Sequence, residues 1–478
     1  MKTKIIRDPG HKISMQLYEI LKEDILQNHW KENSKFYSIR QVSIKFEVNL
    51  NTVLKVFQTL EEEGYLYSIK GKGCFIKKGY HLDVNERMTP ILNTFRFGQN
   101  TREQEINFSN GAPPKEYFPI EAYKTILAEI LTDVEGSKNL LGYQNIQGLE
   151  SLRQELARFV KQYGIFVSKD NIIICSGTQN ALQLISTSLG TLPRKTVLLS
   201  NPTYQNAVHI LESSCNIENI DLQSDGWDMR SLEEILQSKK IHLVYVMTNF
   251  QNPTGISWSI AKKKKLLEFA SKYDFYIIED DCFADFYYEK KRTKPMKALD
   301  KEGRVLYLKT FSKVVMPGIG LAMLIPPKNF VEKCSIHKYF IDTTTSGIHQ
   351  KFLELFLKRG LLEQHLDQLR EILGKRMKYM VEILQKIPHL RILHIPKGGF
   401  FLWIELANYI DGEKFYYKCR LRGLSILPGF IFYSDKKNSC KIRISIVSSS
   451  FEEMKAGFQI IQDILEHCEG VNNEIRLP

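Results

Sequence analysis

No stretch of about 18 consecutive apolar residues occurs anywhere in the chain, so no segment reads as a membrane-spanning helix. The opening residues, MKTKIIRDPGHKISMQ, lack the apolar core of a secretory leader, and export is not expected. The eight cysteines stand apart at 74, 175, 215, 282, 334, 419, 440 and 468, with no C-x-x-C pair. That spacing argues against a disulfide framework or a zinc site and fits idle thiols in a reducing cytosol. Apolar material is not scarce: the chain is 43% hydrophobic and 25% charged, too apolar for disorder. At roughly 100–200 residues per domain, 478 residues suggest two to four structural units.

Positive charge is in excess, and it is unevenly spread. The formal net charge is +12; residues 1–80 carry 14 Lys and Arg against 9 Asp and Glu, a net +5, leaving +7 for the other 398. Per residue the N-terminal segment is more than three times as basic, which points to a polyanionic partner there.

Within that segment helical periodicity begins near Ile13, with Met15, Leu17, Tyr18, Leu21, Ile25 and Leu26 on one apolar stripe, and breaks around Asn28. Ser38 caps a short second helix through Phe46. A turn at Val48–Asn49 leads to a third helix with core face Val53, Val56, Phe57 and Leu60, ended by Gly64. Tyr65–Ile69 and Cys74–Lys77 read as strands flanking the hairpin tip Lys70-Gly71-Lys72-Gly73. Three helices and a basic hairpin describe a winged helix-turn-helix, whose third helix suits a major groove. The pattern alone equally accommodates a small helical packing module with solvated lysines.

The run MQLYEILKEDIL…SIRQVSIKFEVNLNTVLKVFQTLEEEGYLYSIKGKGCFI resembles the GntR-type DNA-binding domain over about 65 residues. The resemblance implies contacts to double-stranded operator DNA from Arg40, Asn51, Thr52, Lys55 and the wing residues Lys70 and Lys72. Where that family carries Ser-Arg before Asn-Thr, this chain has Asn49-Leu50. Leu50 cannot donate to a guanine edge or a phosphate, so sequence preference is expected to differ. Residues 1–79 are thus assigned to the DNA-binding domain. The polar, weakly periodic stretch 80–105 reads as a linker, and 106–478 as the body.

In the body, helical stretches alternate with short apolar runs at Ile172–Ile174, Val197–Leu199, Leu243–Val246, Tyr276–Ile278, Val305–Leu308 and Ala322–Ile325. Such alternation predicts an α/β fold with a mainly parallel, doubly wound sheet, where ligand groups gather beyond the carboxyl ends of strands. Polar clusters follow several of these runs. Ser176-Gly177-Thr178-Gln179 opens a helix, as a phosphate site would, although Gly-Thr turns are also ordinary architecture. Asn201-Pro202-Thr203-Tyr204 can set a ring over a heterocycle or hold a structural tyrosine. Asn252-Pro253-Thr254-Gly255 is a turn, and Glu279-Asp280-Asp281 are three acids at a strand end. Thr310-Phe311-Ser312-Lys313 puts a lysine just past a strand. Together they supply what pyridoxal phosphate needs: an amine for its aldehyde, a carboxylate for its ring nitrogen and anion donors for its phosphate.

Their order resembles the fold-type I aminotransferases from about Asn107 to residue 465, through GYQNIQGLESLRQELARFV, SGTQNALQL, NPTY, NPTG, EDD, TFSK, GGFFLWIEL and KIRIS. The resemblance implies a PLP-binding transferase-like domain with large and small subdomains. In it Lys313 forms the internal aldimine, Asp280 pairs with the ring nitrogen, Asn252 donates to the phenolic oxygen and Tyr204 stacks on the ring. Thr178, Gln179, Thr310 and Ser312 hold the phosphate, and Arg443 clamps a substrate carboxylate through its planar fork.

A GntR-type head on such a body resembles the MocR/GabR family of transcriptional regulators. That resemblance implies a cytoplasmic regulator that senses a small amino compound, or PLP itself, through aldimine formation, with little or no transaminase turnover. It also implies a head-to-tail homodimer, with no membrane partner and no metal. Two alternatives stay open: a working aminotransferase with an appended head, and a body that is a PLP-free dimerisation scaffold. Three positions depart from the pattern. Gly320 stands where an arginine grips the phosphate, Cys282 where a tyrosine is expected, and Asn206 where some relatives carry a ligand-binding arginine. Losing one charge-assisted phosphate contact costs about 1.5–3 kcal/mol, roughly ten- to a hundredfold in cofactor affinity.

Overall fold

The computed structural model describes residues 13–27, 30, 33–62, 65–69, 71–76, 105–190, 194–289, 292–434 and 439–469. Lys70 and all of the expected linker except Glu105 lie outside them. The chain divides into two compact units: Met1–Ile106 with Phe415–Ser425, and Asn107–Lys414 with Ile426–Pro478.

The head is built from α1 (Ile13–Gln27), α2 (Ile39–Phe46), α3 (Leu50–Glu62), β1 (Leu66–Ile69) and β2 (Gly73–Ile76). The second helix starts where a capping box satisfies its first amides. Ser38 Oγ accepts from the Gln41 N–H at 3.2 Å, and Gln41 Oε1 accepts from the Ser38 N–H at 2.8 Å. Glu47, at φ +51°, ends it and turns the chain into α3. β1 and β2 pair antiparallel as the wing, and residues 33–36 add to its edge, with the Phe36 N–H donating to the Cys74 carbonyl at 2.9 Å. Leu17, Leu21, Val42, Val53, Val56, Phe57, Leu60, Leu66 and Ile76 close one core, the faces that periodicity assigned inward.

The body carries an eight-stranded sheet made of β3 (Ile173–Cys175), β4 (Lys195–Asn201), β5 (Cys215–Gln223), β6 (Gly226–Trp227), β7 (Leu243–Val246), β8 (Tyr276–Asp280), β9 (Val305–Thr310) and β10 (Ala322–Ile325). The spatial order is β3-β10-β9-β8-β7-β4-β5-β6. β9, β8, β7, β4 and β5 run parallel, whereas β10 is antiparallel to both its neighbours. Every apolar run read from the sequence falls on one of these strands. β5 was missed because CNIENIDLQ, close to the sheet edge, leaves many side chains partly in water and so lacks the unbroken apolar signature of a doubly covered strand. A smaller antiparallel sheet follows, from β11 (Leu390–His394), β12 (Phe401–Leu406), β13 (Leu427–Pro428) and β14 (Lys441–Ser445) in the order β11-β12-β14-β13.

One charge run needs correction. Lys262–Lys265 reads as the solvated start of a helix, and the helix Ile260–Tyr273 does pack Leu266 and Phe269 inward. Lys263, however, is fully buried and donates from Nζ to Asn249 Oδ1 and to the Lys294 carbonyl, each at 2.9 Å. Helical spacing carries it to the same side as Leu266 and Phe269, so charge alone misplaces it. No helix among the described residues is long and apolar enough to cross a membrane.

Candidate cofactor site and DNA-contact surface

The three acids at the end of β8 separate by the two-residue alternation of a strand. Glu279 accepts from Thr248 Oγ1 at 2.6 Å and from the Met296 and Lys297 amides at 2.6 and 2.7 Å. Asp281 accepts from Asn249 Nδ2, Tyr307 Oη and Arg292 Nη2 at 2.9, 2.7 and 2.5 Å. Arg292 and the buried Lys309 also pair with Asp285, which takes the Tyr163 hydroxyl at 2.8 Å. Arg292 lies 3.6 Å from the centre of the Tyr163 ring. Two cations thus balance Asp281 and Asp285 inside the protein, which a buried carboxylate requires.

Asp280 stands apart from that network. It is buried, accepts the Tyr245 hydroxyl on Oδ2 at 3.0 Å, and has no hydrogen-bond partner on Oδ1 among the described residues. Burial pushes its carboxyl up to about 6, while the Tyr245 hydrogen bond pulls the other way. Lys313, three residues past β9, is half-buried, with its ammonium pushed below the ordinary lysine range. Burial is the main cause and the Arg443 charge adds to it, against Cys282 and Asp280. A lysine so shifted offers more free amine at neutral pH, as a nucleophile requires.

The remaining site residues also follow strand ends. Asn252 is buried, and its Oδ1 accepts from Arg443 Nη1 at 2.9 Å. Arg443, on β14, is buried as well; its Nη2 donates to the Ser109 carbonyl, and its plane lies 4.0 Å from the Phe401 ring centre. Burial brings its guanidinium down to about 9, and Nε has no partner among the described residues. Tyr204 is half-buried and hydrogen-bonds the side chains of Gln179 and Asn206; burial pushes its hydroxyl up to about 12. Thr178 opens the helix Thr178–Ser188 behind Gly177, whose φ of +95° is open to glycine and where an added Cβ would meet nothing within 4 Å. Gln179 is exposed there. Thr310 is buried, with Oγ1 accepting from the Ser312 N–H at 3.2 Å, so these two hydroxyl residues shape the loop leading into Lys313. Gly320 sits at φ +57°, a conformation costing a non-glycine residue roughly 1–2 kcal/mol, so this backbone suits glycine better than arginine.

Electrostatic reach therefore joins Lys313, Asp280, Cys282 and Arg443, and direct bonds join Arg443 with Asn252 and Tyr204 with Gln179. Sequence reasoning missed Tyr245 and the Ser109 carbonyl. For Tyr245 a signal existed: a tyrosine inside the buried strand LVYV must find a partner for its hydroxyl. Among the described residues no cluster of His, Cys, Asp and Glu could hold a metal, and the seven described cysteines are free thiols.

In the head, Arg40, Asn51, Lys55 and Lys72 are exposed and Thr52 is half-buried. The Asn51 amide is held by Asn49 Oδ1 at 2.8 Å, which fixes the entry to α3.

A lysine and a carboxylate at the carboxyl ends of adjacent parallel strands, with a glycine-led helix start on the same sheet, define a fold-type I aminotransferase-like body, here behind a winged helix-turn-helix. The family model described as "Aminotransferase class I and II" matches residues 103–461, and the chain belongs to that family. A second model, "Bacterial regulatory proteins, gntR family", matches residues 13–76. The chain is similar to the uncharacterized HTH-type transcriptional regulator YisV of Bacillus subtilis, 28% identical over 93% of this chain and 94% of YisV. It is also similar to aromatic-amino-acid aminotransferase 1 of Thermococcus litoralis, 31% identical over 76% of this chain and 88% of that one. Among solved structures, Pyrococcus horikoshii kynurenine aminotransferase in complex with PMP superposes with a TM-score of 0.73 at 30% identity, covering 84% of this chain and 98% of that one.

Pyridoxal phosphate is the cofactor of this family, and the residues present fit it. The unshared Oδ1 of Asp280 is an acceptor placed for a ring N–H, and the depressed Lys313 amine suits an aldehyde. The open Gly177 turn leaves backbone room at a helix N-terminus.

Proposed function

We propose that this chain is a DNA-binding transcriptional regulator whose body holds pyridoxal phosphate at Lys313 and responds to a small amino compound. The observation that carries this reading is the pairing of a depressed lysine amine with a buried carboxylate that keeps one oxygen unshared, in a chain that also has a GntR-type head. When bound, the cofactor supplies an aldehyde that condenses with amines and a ring that withdraws electrons.

The chain's own residues divide the remaining work. Asp280 would accept a hydrogen bond from the protonated ring nitrogen and Tyr245 orients Asp280. Asn252 is steered by Arg443, and Tyr204 covers the ring. Thr178, Gln179, Thr310 and Ser312 take the phosphate without an arginine at position 320. Arg443 keeps donor capacity for a carboxylate beyond its bonds to Asn252 and Ser109. An effector amine competing with Lys313 acts on DNA only through its different affinity for two arrangements of the protein, here a head-to-tail homodimer on a paired operator.

The test is an absorbance scan of purified protein with added PLP, across a panel of amines and beside Lys313→Ala. A near-visible band in the wild type that Lys313→Ala lacks, together with amine-dependent operator binding, is expected. Retention of that band in Lys313→Ala overturns the assignment. A second reading, a working aminotransferase with an appended head, is favoured by the intact Lys313–Asp280–Asn252–Arg443 set. Steady turnover of amino-acid and keto-acid pairs would establish it.

A further inference from the structure

The solvent side of α3 begins with exposed apolar residues. α3 turns Val53, Val56, Phe57 and Leu60 into the core, which leaves two neighbouring rows at i, i+4 spacing on the solvent side. One row is Asn51, Lys55 and Thr59; the other is Leu50, Leu54 and Gln58. Leu50 and Leu54 are 46% and 41% exposed, and Ile44 on α2 is 78% exposed. Three large aliphatic side chains therefore stand in water on the two helices that also carry the exposed cations Arg40, Lys45 and Lys55.

Most ligands do not suit such a surface. An apolar protein groove would gain nothing from the surrounding cations, and a purely electrostatic phosphate contact would gain nothing from leucines. Duplex DNA offers both features together. Its phosphates match the cations, and each thymine places a C5-methyl group on the floor of the major groove, where an aliphatic side chain covers it. Asn51, one residue from Leu50, is of the type that pairs two-pronged with adenine N6 and N7. An amide beside two leucines suits A·T pairs read from the purine and the methyl edge.

We infer that Leu50 and Leu54 read thymine methyl groups, so that the head prefers A·T pairs opposite the first turns of α3. The inference rests on the DNA-binding reading above and deepens it by naming what the helix recognises.

The experiment uses the full-length protein and random-sequence duplexes. Sequences enriched by binding are synthesised twice, with thymine or with uracil, which differ only by the C5-methyl group. Uracil substitution should weaken binding about fourfold for each contacted methyl, the worth of one buried carbon. Leu50→Ala and Leu54→Ala, both on an exposed face, should lose a similar factor on thymine duplexes and nothing further on uracil duplexes. Equal affinity for the two duplexes overturns the inference. So do leucine-variant losses of the same size on both, which would assign the patch to a protein surface. Binding that enriches no sequence over mixed competitor DNA also overturns the inference, whereas a protein that retains no duplex even at low salt removes the DNA-binding reading itself.

Discussion

Tyr245 donates its hydroxyl to Oδ2 of Asp280 at 3.0 Å, from one buried strand to the next, and leaves Oδ1 of the same carboxylate unshared. Tyr245 lies on β7 opposite Ile278 of β8, so the bond runs diagonally to the strand's last residue. The tyrosine therefore fixes which oxygen remains for a ligand, while strand alternation sends the acid to the face opposite the cations that serve Asp281 and Asp285.

Replacing Tyr245 with Phe should raise the Asp280 carboxyl above its present value near 6, because the largest hydrogen-bond contribution favouring the ionised form is gone. A hydrogen bond to a charged group is worth about 1.5–3 kcal/mol, so PLP affinity at neutral pH should drop roughly tenfold or more. An absorbance titration measures this; an affinity and pH profile identical to the wild type would remove Tyr245 from the site.

The sign of the pH dependence follows from the same carboxyl. Its folded pKa, near 6, lies above the unfolded value of about 3.9, so ionising it opposes folding. The stability it contributes is fully present below about pH 4 and is lost as pH rises through 6. Cofactor binding should move the opposite way, strengthening as Asp280 loses its proton through pH 6. Asp280→Asn should abolish both steps. A PLP affinity that is flat across that interval in the wild type contradicts the pairing.

How far the sequence could be read depends on whether a residue's role is local. The strands of the parallel sheet were legible because burial on both faces leaves unbroken apolar runs, and Ser38 was legible because a capping box spans four residues. Lys313 and Asp280 were proposed from their order along the chain. What escaped was set by register: Tyr245 reaches Asp280 only because β7 and β8 are neighbours, and the Ser109 carbonyl meets Arg443 from 334 residues away. Lys263 was misread for the same reason, since its partners Asn249 and Lys294 belong to other segments.

Lys263 therefore yields a stability prediction. Lys263→Met should destabilise the body by about 1–3 kcal/mol by stranding Asn249 Oδ1 and the Lys294 carbonyl, whereas Lys264→Met, on the exposed face, should be near neutral. Burial lowers the Lys263 pKa to about 8, below the unfolded value of about 10.4, so the unfolded chain binds more protons between them. Stability from this group should rise with pH across that window, and the rise should vanish in Lys263→Met. Equal melting of the two variants would return Lys263 to the surface.

In the head, phosphate contacts and base contacts should separate by their salt dependence. Lys72 sits at the exposed wing tip and Lys55 on the outer row of α3, while Asn51 is uncharged and one turn before Lys55. Each lysine that neutralises a phosphate releases a condensed counterion, so removing one lowers the slope of log K against log salt by about 0.9. Lys72→Ala should thus weaken binding on every duplex alike and flatten that slope by about one contact. Asn51→Ala should leave the slope unchanged and lower the ratio of specific to mixed-sequence affinity, because an amide reads a base edge and displaces no ion. Lys55 tests which of these two roles the middle of the helix takes: a flattened slope puts it on the backbone, and a changed preference with the slope intact puts it in the groove. If Lys72→Ala keeps the full slope, Lys72 does not touch phosphate, and the electrostatic attraction falls to the other cations of the head, Arg40 and Lys55 among them.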